Sequence, residues 1–100
     1  MLSLFKRPDL KKGADRAREC GGVLVDVRTP SEYAEGHLPG AVNIPLDRLD
    51  SSAIPAGKLF VYCYSGARSA RAVSYLKGKG RDAENIGGIA GYGGPVERGV

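Results

Sequence analysis

Cysteine is scarce in this chain: only Cys20 and Cys63 occur in 100 residues. Two thiols cannot staple a small fold, and no C-x-x-C pair offers the spacing of a metal site, so a reducing compartment is expected. No apolar run approaches the length of a membrane span. At the start, Met1-Leu2-Ser3-Leu4-Phe5 meets charge at Lys6 and Arg7, whereas a signal peptide has its charge first and a longer apolar region after it. The expected location is therefore cytoplasmic, with no membrane partner. Acidic residues are also missing where it matters: none lies between Asp50 and Asp82, a stretch holding Lys58, Arg68, Arg71, Lys77, Lys79 and Arg81. The net charge is a modest +4, but this block would attract small anions and depress a thiol's pKa. The tyrosines nearby, Tyr62, Tyr64 and Tyr75, form no recognisable stacking module, so a nucleic-acid partner is not expected.

What is present is an ordinary globular composition, 42% hydrophobic and 26% charged, in a length that suits one domain spanning 1–100. Apolar positions and turn signals alternate between helix and strand. Pro8 to Cys20 has Leu10, Ala14 and Ala17 at helical spacing and stops at Gly21-Gly22. In that last turn Cys20 reads as a small, buried or half-buried residue. Val23-Leu24-Val25-Asp26-Val27 is a strand buried on both faces. Asp26 inside it must be paired or hydrogen-bonded, by loop N–H groups or by Arg28, which makes both residues structural supports. Thr29-Pro30-Ser31-Glu32 carries helix-start signals for a short helix from Pro30 to Glu35.

Gly36 to Gly40 reads as a turn and Ala41 to Ile44 as a short strand ended by Pro45. A helical turn over Asp47 to Leu49 follows. His37 is the one histidine. A Cys–His pair is formally available, but a histidine among glycines reads as a hydrogen-bonded turn residue. Farther on, Leu59 to Tyr62 is a strand, and a helix from about Ala67 to Gly78 has Ala70, Val73 and Leu76 on its expected inner face. Ala83 to Ile86 is the last strand, and Gly87 to Pro95 reads as a turn with an irregular tail. The alternation predicts an α/β fold: a parallel sheet of about four to five strands with helices on both faces.

The chemistry concentrates at Leu59-Phe60-Val61-Tyr62-Cys63-Tyr64-Ser65-Gly66-Ala67-Arg68-Ser69. A cysteine between a strand end and a helix start sits where open α/β folds bind ligands. The N–H groups of such a turn converge on an anion, and the helix dipole favours thiolate over thiol. Cys63 is thus the candidate nucleophile, an exposed thiol of low pKa in an anion cradle.

Three blocks resemble the rhodanese-like sulfurtransferases in their small single-domain form. Asp26-Val27-Arg28-Thr29-Pro30-Ser31-Glu32-Tyr33 with Gly36-His37-Leu38-Pro39-Gly40-Ala41-Val42-Asn43-Ile44-Pro45 is similar to that family's first signature. Tyr62 to Ser69 resembles its active-site loop, and Asn85-Ile86-Gly87-Gly88-Ile89 its last strand and turn. The resemblance covers about residues 8 to 97. It implies a thiosulfate sulfurtransferase with no metal or organic cofactor. The Cys63 thiolate would take sulfane sulfur from a small anionic donor, thiosulfate or a persulfide, and pass it to cyanide or a thiol. The amides of Tyr64, Ser65, Gly66, Ala67, Arg68 and Ser69 would line the substrate cradle, with Gly66 allowing an unusual φ and Arg68 supplying a fixed charge beside the thiol. Some family members carry a strand before the first helix, and here only Leu2 to Phe5 could supply it.

Related phosphatases and arsenate reductases use Cys-x5-Arg. Here the arginine is at position five, Arg68, with Ser69 at six, a tighter loop that suits one sulfur atom better than a tetrahedral phosphate. The resemblance is also compatible with an inactive rhodanese module that binds proteins, or with a relay fed by a persulfide-carrying or thiol partner protein. An active module is favoured over an inactive one because the cysteine and its loop are intact.

Overall fold

The structure is a computed structural model that describes residues 8–100. Leu2 to Phe5, the stretch that could supply a short strand before the first helix, lies outside those residues. In chain order the elements are α1 (Leu10–Cys20), β1 (Val23–Asp26), α2 (Pro30–Glu35), β2 (Val42–Asn43), a 3-10 turn (Leu46–Arg48), β3 (Leu59–Cys63), α3 (Ala67–Gly78) and β4 (Ala83–Gly88). The four strands form one parallel sheet in the order β2-β1-β3-β4. No described helix is long and apolar enough to cross a membrane.

Local chemistry sets most boundaries. The Asp9 carboxylate accepts the Lys12 amide at 3.2 Å, so α1 begins at Leu10, after the expected Pro8 start. Thr29 and Glu32 form a reciprocal capping box with Pro30 in the first turn, and α2 spans the expected residues. β2 contracts to two residues at the sheet edge, although the Ile44 N–H still donates to the Asp26 carbonyl at 2.9 Å. Pro45 offers no N–H to extend it. β4 runs two residues past the expected Ile86, because a register shift at Val61/Tyr62 lets Gly87 and Gly88 pair with Tyr62 and Cys63.

Period-two alternation divides β1 and β3 between two cores. Leu24, Phe60 and Tyr62 face α1 and pack with Leu10, Ala14, Ala17 and Ile86. Val25, Val61 and Cys63 face α3 and pack with Ala72, Val73 and Leu76. The inner face of α3 differs from the expected one: Ser69, Ala72, Val73 and Leu76 are buried and Ala70 is exposed. The observed set follows i, i+3, i+4, i+7, whereas a strict spacing of three drifts around a helix of 3.6 residues per turn. That rotation carries Ser69 inward, under the end of β3. Beyond β4 the chain turns through Gly91 and closes with an antiparallel bridge between Glu97 and His37.

Candidate active site

The site is built where β3 ends and α3 begins. Cys63 is the last residue of β3, and Gly66 takes φ +97° at the N-cap of α3, the left-handed region that suits glycine. This bend returns the chain over the sulfur. Cys63 Sγ accepts the N–H of Gly66 at 3.0 Å and that of Ser69 at 3.3 Å, and lies 3.4 Å from Ser69 Oγ. The loop also leans on β4. A Cβ on Gly88 would lie 2.2 Å from the Tyr64 carbonyl oxygen, so only glycine allows this approach. Ile89 and Ala90 then donate their N–H groups to the carbonyls of Cys63 and Tyr64, each at 2.9 Å.

One expectation is corrected here and another sharpened. The Cys63 thiol is not exposed: its relative exposure is 0%, because the Tyr64–Ser69 turn folds back over it. Arg68, expected as a fixed charge beside the thiol, is itself paired. Its guanidinium donates to both Glu32 carboxylate oxygens, at 2.7 and 3.0 Å, and this pairing offsets its field at the sulfur. Burial pushes the Cys63 thiol up. The Ser69 hydroxyl and the amides of Ser69, Gly66 and Ser65 outweigh that, and the net effect holds the thiol below its ordinary value. Of the six expected loop amides, those of Gly66 and Ser69 bond the sulfur directly. Tyr64, Ser65 and Ala67 form the exposed outer rim. A hollow of about 360 Å³ opens beside that rim, bordered by Tyr64, Ser65, Gly66, Asn85 and Gly88.

Asp26 and Arg28 brace the neighbouring strand end. Asp26 is fully buried and accepts the Arg28 backbone N–H at 2.9 Å, its Nε at 3.0 and 3.1 Å and its Nη2 at 2.7 Å. The same Nη2 reaches the Gly36 carbonyl at 2.7 Å, which ties β1 to the end of α2. His37 is also buried, with Nδ1 2.7 Å from the Tyr33 carbonyl and its ring stacked on Tyr33 at 3.6 Å. These partners make it a turn residue, as expected. Cys20, expected to be buried or half-buried, is instead exposed: it ends α1 beside Lys58 and Phe60, at the opposite end of the sheet from Cys63.

Two residues that support the site are not marked as such by sequence patterns. Glu32 reads from the sequence only as a helix-start residue, yet the Arg68 guanidinium joins its capping bonds, and that pair holds its carboxyl at about 2. Asn85 stands in the sequence only as part of a terminal motif. In the fold it accepts the Ser69 hydroxyl at 2.8 Å and the Gly87 N–H at 3.0 Å and donates to the Gly66 carbonyl at 3.1 Å. A polar Asn within β4, next to Ile86, is the available signal. Among the described residues no group of His, Cys, Asp and Glu could hold a metal ion.

The site is thus a strand-end cysteine cradled by backbone donors at the C-terminal edge of a parallel α/β sheet. Residues 9–93 match the Rhodanese-like domain family, and the chain belongs to that family. It is 42% identical over 75 residues to a protein of Allochromatium vinosum named sulfurtransferase, covering 70% of each chain. It is 34% identical over 83 residues to the thiosulfate sulfurtransferase GlpE of Pseudomonas putida, covering 79% of this chain and 74% of that one. Among solved structures, a rhodanese-like domain protein from Staphylococcus aureus superposes with a TM-score of 0.78 at 32% identity, covering 93% of this chain and 97% of that one.

Proposed function

We propose that this domain is a sulfurtransferase that carries sulfane sulfur as a persulfide on Cys63, with thiosulfate or a related persulfide as donor. One observation carries the reading: the Cys63 sulfur lies at the focus of two amide N–H groups at the end of β3, with the Ser69 hydroxyl oxygen 3.4 Å away. Those amides stabilise a thiolate, and they can equally stabilise negative charge that moves to a second sulfur. With thiosulfate, the thiolate attacks the outer sulfur. A new S–S bond forms, the old one breaks, and its electron pair leaves with sulfite. An acceptor thiolate or cyanide then attacks the outer sulfur of the persulfide, and Cys63 departs as thiolate. Likeness to a relative named thiosulfate sulfurtransferase supports the choice of donor.

A thiol borne by a partner protein is a second acceptor reading, favoured by Tyr64, whose ring stands 54% exposed on the loop rim. Exposed aromatics of this kind anchor protein contacts. Intact mass spectrometry after incubation with thiosulfate tests the core proposal. The expected result is a gain of one sulfur atom on the native chain and none on Cys63→Ser. Absence of the adduct together with turnover of para-nitrophenyl phosphate would overturn it.

A further inference from the structure

The contacts of the Ser69 hydroxyl do not fit a single fixed role. Its oxygen is fully buried and has four neighbours: Asn85 Oδ1 at 2.8 Å, the Gly66 carbonyl at 3.1 Å, and Cys63 Sγ and the Gly87 carbonyl at 3.4 Å. A serine has one hydrogen to give. The orientation of Asn85 is fixed independently, because Gly87 N–H can bond only its oxygen and the Gly66 carbonyl only its nitrogen. Two oxygens 2.8 Å apart need a hydrogen between them, and Asn85 Oδ1 has none. The Ser69 hydrogen therefore points at Asn85, and toward sulfur Ser69 presents a lone pair. That is the arrangement for a protonated Cys63, whose S–H donates to Ser69.

A thiolate at Cys63 needs the opposite arrangement. The hydroxyl must turn to the sulfur, and the short contact with Asn85 then loses its hydrogen. We propose that Asn85 is a positioning residue that competes with the Cys63 sulfur for the one Ser69 hydrogen, and so restrains ionisation of the nucleophile from β4. The inference rests on the reading of Cys63 as the nucleophile. Its sign is opposite to that of a simple loop support, since removing Asn85 releases the hydroxyl to the thiolate. Among the described residues, the charged pairs at this end of the sheet are Arg68 with Glu32, from α3 and α2, and Arg28 with Asp26, from the end of β1. Both pairs remain in every variant and cancel from the comparison.

The pH profile of Cys63 alkylation by iodoacetamide reads ionisation without any sulfur transfer, so it separates failure of this proposal from failure of the sulfurtransferase reading. A Cys20→Ser background confines the signal to Cys63. Asn85→Ala should shift the profile to lower pH and speed alkylation several-fold at neutral pH. The same change in a Ser69→Ala background should shift it little. Asn85→Asp keeps the shape and holds the hydrogen more strongly, and should shift the profile upward by more than the same change does in the Ser69→Ala background, where only the repulsion of the added charge acts; this covers the case where Asn85→Ala does not fold. An upward or absent shift in Asn85→Ala, an undiminished shift without the Ser69 hydroxyl, or an unchanged or lowered profile in Asn85→Asp would each overturn the proposal.

Discussion

Arg68 and Glu32 form a bidentate ion pair, 2.7 and 3.0 Å, that ties the Cys63 loop to the first turn of α2. Glu32 also completes the capping box of that helix, so one carboxylate holds both elements. The pair is partly exposed, so its removal is worth about 0.5 kcal/mol, and a glutamine at this position keeps the cap. Glu32→Gln should lower the unfolding free energy by about 0.5 kcal/mol, seen as a lower urea midpoint, while leaving Arg68 free to meet the donor anion. A lowered midpoint with a reduced KM for thiosulfate is the expected pair of results, and a higher KM would count against it.

The same carboxyl makes a pH prediction. Its folded-state pKa, about 2, lies below the unfolded value of about 4.3. A depressed acid stabilises the fold above its unfolded pKa and loses that contribution as pH falls through the folded value. Glu32 should therefore contribute fully at neutral pH and progressively less from about pH 5 to pH 2. Denaturation curves of the native chain and Glu32→Gln should converge over this acid range. Curves that stay parallel would contradict the assignment.

At Gly88 the question is backbone against backbone. A methyl there would meet the Tyr64 carbonyl at 2.2 Å, and neither partner is a flexible side chain. Gly88→Ala should displace the loop by enough to misalign the amides, and a displacement of about 1 Å costs on the order of 100-fold in rate. Persulfide formation followed by mass spectrometry should slow accordingly. Retention of the native rate would show that the loop does not depend on this approach.

Arg28→Met leaves the Asp26 carboxylate fully buried without its main partner. Breaking one side of a buried pair costs about 3–5 kcal/mol. The double change Arg28→Met with Asp26→Leu should recover part of that loss, because it leaves no uncompensated charge. Urea unfolding of the two variants decides the point, and equal midpoints would refute it.

Cys20→Ser should leave sulfur transfer unchanged. Cys20 ends α1 beside Lys58 and Phe60, where β3 starts, whereas Cys63 stands where β3 finishes. A thiol at the far end of the strand cannot resolve a persulfide on Cys63 without unfolding. A change in turnover in this variant, assayed with cyanide as acceptor, would contradict the placement.

Much of this molecule follows from local rules. The apolar runs at Val23–Val27 and Leu59–Tyr62, the Thr29–Glu32 capping box and the strand–Cys63–turn–helix order are short-range patterns, and they determine an α/β sheet with a cysteine at its edge. The family resemblance rests on the same local blocks. What tertiary structure alone decided involves partners distant in the chain. Arg68 reads as a fixed charge beside the thiol, and its partner Glu32, 36 residues away, is set only by folding. Cys63 reads as exposed because nothing in its neighbours shows how the Tyr64–Ser69 turn, held against β4 at Gly88, folds back over it. Asn85 reaches Ser69 only because β4 pairs with β3 across a register shift. Composition and spacing can place a nucleophile at the end of a strand. Which groups compete for its proton depends on how strands far apart in sequence are packed together.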